Sequence, residues 1–196
     1  MRRYPAILAL IGLCSSPALA QMEAPHNLAG GAHACEGCHG PRGDSENQSI
    51  PRLNGQQADY IFSRVGQLLD LPAKSSGTAI SSVATEADAE ALASIASYFA
   101  RQRPSPQKPG QLAEEGRRIY LNGDPAHFVM ACKSCHGADG EGHGAVPRLV
   151  GQHASYLERQ LGRFSSGIRE NRLMHFNTLD LSDHQIDALA SYLAGD

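Results

Sequence analysis

The chain has 196 residues, with 17 basic and 20 acidic side chains and a formal net charge of −3. No basic stripe is available to neutralise phosphates, so the composition argues against a nucleic-acid partner. No apolar run beyond the N-terminal segment approaches the roughly 18 residues that a membrane-spanning helix needs, so we expect no transmembrane segment in the mature chain.

Residues 1–20 are predicted to be a secretory signal peptide. Arg2 and Arg3 form a basic start, an apolar run extends from Ala6 to Cys14, and Ala18-Leu19-Ala20 forms a small-x-small cleavage site. We therefore expect a protein exported to the bacterial periplasm, with a mature chain that begins at Gln21.

The pattern C-x-x-C-H occurs twice in the chain and is the attachment signature of a c-type haem. Two thiols three positions apart on one helical turn can each form a thioether to a haem vinyl group. The His that follows directly offers a ring nitrogen to the iron as the proximal ligand. The sequence thus predicts two covalently bound haem c groups, held by Cys35, Cys38 and His39 and by Cys132, Cys135 and His136.

Three other interpretations of these cysteines compete with haem attachment. A zinc ribbon needs two C-x-x-C pairs about 15–20 residues apart, whereas Cys38 and Cys132 are far more widely separated. A thioredoxin-like dithiol needs no His and belongs to a βαβ pattern that this chain lacks. A disulfide framework is possible in an exported protein, but does not explain a His after both pairs.

An internal repeat divides the mature chain into two similar units. Three blocks recur in the same order 94 to 97 residues later: His39-Gly40, then Pro51-Arg52-Leu53-x-Gly55-Gln56, then Ala96-Ser97-Tyr98. Their second copies begin at His136, Pro147 and Ala190. We predict domains at 21–100 and 110–196, joined by a proline-rich linker at 101–109 that cannot continue a helix.

The periodicity within each unit is helical, which predicts an all-α fold. Apolar residues at i, i+3, i+4 and i+7 mark a last helix near 92–99 and another near 186–193. Ser182 with Gln185 forms a capping box before the second of these helices, and Thr85 with Asp88 forms a weaker one before the first. Middle helices are expected at 59–69 and 155–164, an opening helix near 112–120, and loops at 40–50 and 137–144.

The two C-x-x-C-H-G motifs, each followed by P-R-L-x-G-Q and a helix with Tyr60 or Tyr156, resemble the dihaem cytochrome c4 family. That family consists of tandem class I cytochrome c domains that carry electrons in the bacterial periplasm. The resemblance implies that the carbonyl groups of Pro51 and Pro147 accept the N–H of the proximal His. It also implies that four side chains lie near the haem propionates: Arg52, Arg148, Gln56 and Gln152.

The resemblance further implies a Met thioether as the sixth iron ligand, and Met174 fits this role in the second unit. It precedes the final helix in what the sequence predicts to be a polar loop, while the adjacent His175 is a competing ligand. Met130 is interpreted as a packing residue.

The first unit breaks the family's pattern, because no Met occurs between Glu23 and Val129. The position equivalent to Met174 falls on Thr78 to Ile80. The sixth ligand of the first haem is then Lys74, water, another residue or none.

The leading hypothesis is a periplasmic electron carrier, and not an enzyme. It would pass single electrons from a dehydrogenase or quinol-oxidising complex to a terminal oxidase or reductase. One alternative is an enzyme, such as a dihaem peroxidase or a subunit of a sulfur-compound dehydrogenase, for which an open iron in the first unit would be suited. A gas or redox sensor is another, although no output module is visible.

Overall fold

The computed structural model describes residues 31–70 and 88–195. The signal peptide, Lys74 and the Thr78–Ile80 position lie outside these ranges. The described residues form helices, loops and three isolated β-bridges, with no strand among them. The predicted all-α fold is therefore confirmed. None of the described helices has the length and apolar character needed to cross a bilayer.

The first unit contains three described helices: α1 at Gly31–His39, α2 at Ala58–Asp70 and α3 at Ala89–Ala100. The expected start of α3 near Thr85 is wrong. Asp88 is the N-cap, and its carboxylate accepts a hydrogen bond from the N–H of Ala91. An Asp at this position satisfies one of the free amide donors that every helix start exposes.

Among the described residues, the second unit contains five α-helices: α4 at Ala113–Asn122, α5 at Lys133–His136, α6 at Ala154–Ser165, α7 at Arg172–Thr178 and α8 at Asp183–Leu193. Four of them match the sequence analysis, and the capping box of Ser182 and Gln185 before α8 is confirmed in both directions.

The sequence predicts a polar loop around Met174, and helix α7 corrects that prediction. The structure places Met174 in the first turn of α7 instead. Asn171 caps this helix by accepting a hydrogen bond from the Met174 N–H, and the Thr178 hydroxyl donates back to the Met174 carbonyl. A helix of seven residues is too short to show a periodic apolar pattern, which explains the wrong prediction.

Each unit has its own apolar core. The first core is built around Ile61, Ile95 and Phe99 and the second around Ile119, Tyr120 and Leu189, all of them buried. In the second unit α4 crosses α8 at Gly116, where an added Cβ would lie 1.9 Å from the Ala188 carbonyl oxygen. The first and last helices of the second unit, α4 and α8, are therefore in close contact.

The proline-rich segment 101–109 has no helix, as its composition predicts. It is nevertheless fixed to both units. The Asn54 amide donates to the Arg103 carbonyl at 2.9 Å, and the Lys108 N–H donates to the Ala194 carbonyl at 2.7 Å. The segment is therefore hydrogen-bonded to both units.

Candidate haem sites

Both C-x-x-C-H motifs lie on helical turns. The first ends α1, and the second spans Cys132 and α5. In the second motif the N–H of His136 donates to the carbonyl of Cys132 at 3.0 Å, which closes the turn that brings both thiols and the imidazole to one region. Gly40 and Gly137 follow the motifs with φ of 76° and 86°. A side chain is strained in this left-handed region, which explains the glycine after each His.

The two proximal histidines are held in the same way. Nδ1 of His39 lies 2.7 Å from the Pro51 carbonyl oxygen, and Nδ1 of His136 lies 3.0 Å from that of Pro147. A carbonyl can only accept, so Nδ1 carries the proton in both rings. This confirms the role expected for the two prolines.

The second ring nitrogen, Nε2, has no hydrogen-bond partner within the described part of the chain for either residue. Burial lowers the pKa of both rings, although the hydrogen bond to the proline carbonyl opposes it. A neutral imidazole with a free Nε2 is the form that binds iron.

No disulfide joins the four cysteines of the motifs, so all four sulfurs are available for thioether bonds. Burial raises the pKa of Cys132 to about 11 and also raises that of Cys35. Such thiols are protonated at neutral pH, which disfavours a dithiol redox site because the thiolate is the reactive form. Within residues 31–70 and 88–195, no group of three or more His, Cys, Asp or Glu could hold a bare metal ion. The zinc interpretation therefore has no geometric support there.

Arg64 and Arg169, which lie where the two units meet, have no carboxylate partner among the described residues. Arg169 is 9% exposed and donates to the Gln160 amide oxygen at 2.8 Å and the Tyr60 hydroxyl at 2.9 Å, both neutral groups. Burial and the nearby charge of Arg169 lower the pKa of Arg64. Neither guanidinium pairs with a carboxylate among the residues described. A buried cation such as Arg169 needs a compensating anion, and the propionates of a bound haem would provide one for it and for the half-buried Arg64.

Arg52 and Arg148, which the family resemblance places near the propionates, make different contacts. Nε of Arg52 lies 3.3 Å from an Asp44 carboxylate oxygen, and its guanidinium donates to the Gly151 carbonyl across the two units. Nε of Arg148 is buried without a partner in the described structure. Their contact with propionates stays a prediction.

The two glutamines have a role that the sequence analysis missed. Gln56 and Gln152 are each 7% exposed, and each amide pairs with the backbone of the opposite unit. Gln152 bonds to Arg52 and Gln56 bonds to Arg148. The repeated Gly-Gln after P-R-L-x was the available signal, but the partners become visible only when the two units are placed together.

Next to Met174, Nδ1 of His175 lies 2.7 Å from the Phe164 carbonyl oxygen. This bond holds the ring through Nδ1, as in the two proximal histidines, so His175 stays a competing ligand. Met130 is 61% exposed, so its interpretation as a packing residue is wrong. Phe128, two residues earlier, has a left-handed backbone conformation and is also exposed. The Asn177 amide then accepts from the Met130 N–H at 2.6 Å, which ties α7 to the segment before Cys132.

Helical units that present C-x-x-C-H on a helical turn, with the His held by a proline carbonyl, define a c-type cytochrome. The family model described as cytochrome c matches residues 113–195. Cytochrome c4 of Azotobacter vinelandii is 35% identical over 183 residues, covering 85% of this chain and 86% of the relative. The Thiomonas intermedia protein named thiosulfate dehydrogenase electron acceptor is 32% identical and covers 99% of this chain and 91% of its own length.

A solved structure of cytochrome c4 from Acidithiobacillus ferrooxidans superposes with a TM-score of 0.76 and 32% identity, covering 83% of this chain and 99% of that one. The chain belongs to the cytochrome c4 family. It is thus an electron-carrying cytochrome with covalently bound haem c, and the resemblance noted in the sequence is confirmed.

Proposed function

We propose that this protein is a dihaem electron carrier of the bacterial periplasm and does not catalyse a reaction of its own. The observation that carries the proposal is the doubled geometry: half-buried His39 and buried His136 each donate Nδ1–H to a proline carbonyl and leave Nε2 without a partner among the described residues. One such site would support a single haem, whereas two support a pair.

Each residue of the two motifs then has a separate task. The thiols of Cys35 and Cys38, and those of Cys132 and Cys135, form the thioethers, while Nε2 of His39 and of His136 binds iron. Haem supplies the one-electron couple when it is bound. The chain contributes ligand choice, burial and hydrogen bonding, which set the potential.

Met174 is proposed as the sixth ligand of the second haem. Its place at the start of α7 supports this, because the Asn171 cap and the Asn177 link to Met130 fix α7 beside the second motif. A soft thioether raises the potential of haem iron relative to nitrogen ligands.

For the first haem the ligand is Lys74, water, another residue or none, since no Met is present between Glu23 and Val129. With Lys74, with water or with no sixth ligand, the first haem would have a lower potential than the Met174 haem. We therefore propose an asymmetric pair.

The proposed donor is a dehydrogenase or quinol-oxidising complex, and the proposed acceptor is a terminal oxidase or reductase. The relative named thiosulfate dehydrogenase electron acceptor supports a dehydrogenase on the donor side. The predicted signal peptide at 1–20 supports a periplasmic location. The net charge of −3 favours partners whose docking faces are basic or largely apolar.

The missing Met in the first unit is the one observation that favours an enzyme, because an open iron can bind peroxide. A spectroelectrochemical titration combined with a peroxide turnover assay tests both functions. A carrier takes up one electron per haem in two steps and shows no steady-state peroxide consumption. Sustained peroxide turnover by the purified protein would overturn the carrier proposal in favour of a peroxidase.

A further inference from the structure

Each proximal His is bonded to a peptide group whose other end is held by the opposite unit. The carbonyl of Pro51 and the N–H of Arg52 belong to one peptide group. The carbonyl accepts from His39 at 2.7 Å, while the N–H donates to Oε1 of Gln152 at 2.9 Å. A side chain of the second unit therefore lies one peptide away from the proximal His of the first.

The reverse arrangement holds for the second unit. The carbonyl of Pro147 accepts from His136 at 3.0 Å, and the N–H of Arg148, in the same peptide group, donates to Oε1 of Gln56 at 2.7 Å. The first unit thus contacts the peptide that receives the proximal His of the second.

Each glutamine amide makes three hydrogen bonds, because Oε1 also accepts from the N–H of the next residue, Gln57 or His153, at 3.0 Å. These partners determine the orientation of the amide. Nε2 of Gln152 donates to the Arg52 carbonyl at 3.0 Å, and Nε2 of Gln56 donates to the Arg148 carbonyl at 2.9 Å. A flipped amide would place NH₂ against a backbone N–H, where no hydrogen bond can form.

We propose that Gln152 is a positioning residue for the haem of the first unit, and Gln56 for the haem of the second. A peptide N–H that donates a hydrogen bond polarises its own carbonyl, which becomes a stronger acceptor. The stronger acceptor draws the Nδ1 proton and makes the imidazole a more basic ligand. A more basic ligand stabilises ferric iron, so each glutamine lowers the potential of the haem on the other unit.

This inference rests on the proposed function, because it requires a haem on each unit. It adds that the potentials depend on how the units meet. Contact between the units keeps both potentials low, and loss of either glutamine contact raises one of them.

The test uses the holoprotein with Gln152→Leu and, separately, Gln56→Leu. A redox titration followed by NMR reports each haem through the Nδ1 proton of His39 or His136. In Gln152→Leu we expect the reduction potential of the first haem to rise. In the reduced protein, the resonance of the His39 Nδ1 proton should shift upfield, and this proton should exchange faster with solvent. The second haem stays unchanged. Gln56→Leu gives the reverse pattern.

Gln57→Leu is the matched control. Gln57 also bonds across the units, with Nε2 donating to the Glu141 carbonyl at 2.8 Å, but its amide does not contact a Pro–Arg peptide. We expect this variant to leave both Nδ1 protons and both potentials in place. Gln152→Asn keeps the interface polar and, if the Leu variant does not fold, should give a smaller shift in the same direction.

Equal shifts in Gln57→Leu, a shift of the haem on the glutamine's own unit, or unchanged His39 and His136 protons would overturn the inference. Mass spectrometry of the wild-type protein separates this failure from that of the proposed function. If the protein holds two haems but neither glutamine variant affects the haem of the opposite unit, only the inference is contradicted. A protein without two haems contradicts the proposed function.

Discussion

Replacing Gly116 with Ala tests the close crossing of α4 and α8. The new Cβ would lie 1.9 Å from the Ala188 carbonyl oxygen and 2.8 Å from Cβ of Tyr192, so the helices must separate by about 1 Å or more. Overpacking of this kind costs about 1–3 kcal/mol, and the clash with a backbone atom favours the upper end. The better helix propensity of Ala returns about 1 kcal/mol. The expected net loss is about 2 kcal/mol.

Gly162→Ala is the matched control, because Gly162 lies within α6 and its added Cβ meets no atom within 4 Å. This variant should gain about 1 kcal/mol from helix propensity alone. Guanidinium unfolding is followed by circular dichroism and by haem absorbance, and midpoints are compared because two units need not unfold in one step. A Gly116→Ala midpoint equal to or above that of Gly162→Ala would refute the packing argument.

Three further predictions concern the haem environments. Met174→Ala should lower the potential of the second haem by on the order of a tenth of a volt, because axial ligands set potentials over about 0.8 V; an unchanged redox titration would remove Met174 from the site. Lys74→Ala should alter the visible spectrum and its pH dependence if that amine binds the first iron, and an unaltered spectrum with carbon monoxide uptake by the reduced wild type would indicate water or no ligand. Glu36→Gln should make the free energy of unfolding less dependent on pH in the acid range. Burial alone would raise the pKa of Glu36, but hydrogen bonds from Tyr98, Arg42 and His33 lower it. The Glu36 carboxylate therefore stabilises the fold at pH values above its pKa in the unfolded chain, and this stabilisation is lost as the pH falls through its pKa in the folded protein. If the wild type and Glu36→Gln lose equal stability in acid, this role is contradicted.

The features that were predicted correctly are those encoded locally. The two C-x-x-C-H motifs specify their own chemistry through spacing. Helix α8 was placed correctly because Ser182 and Gln185 mark its start and its apolar residues repeat at helical intervals. The hydrogen bonds from the proximal histidines to Pro51 and Pro147 followed from the family resemblance.

The features that were missed depend on short elements or on distant partners. Helix α7 spans seven residues, too few to show a period, and its cap Asn171 is also a common loop residue. The glutamine pairs join residues 92 and 100 positions apart, such as Gln152 with Arg52. Nothing local to Gln152 identifies that partner, because the pairing exists only once the two units have packed together.

The central claim, that each unit holds one covalent haem, is tested most directly by denaturing mass spectrometry of the exported protein. We expect the mass of the chain from Gln21 plus two haem groups, with peptides containing Cys35–Cys38 and Cys132–Cys135 each carrying one. A mass corresponding to a single haem, or to four unmodified cysteines, would contradict it.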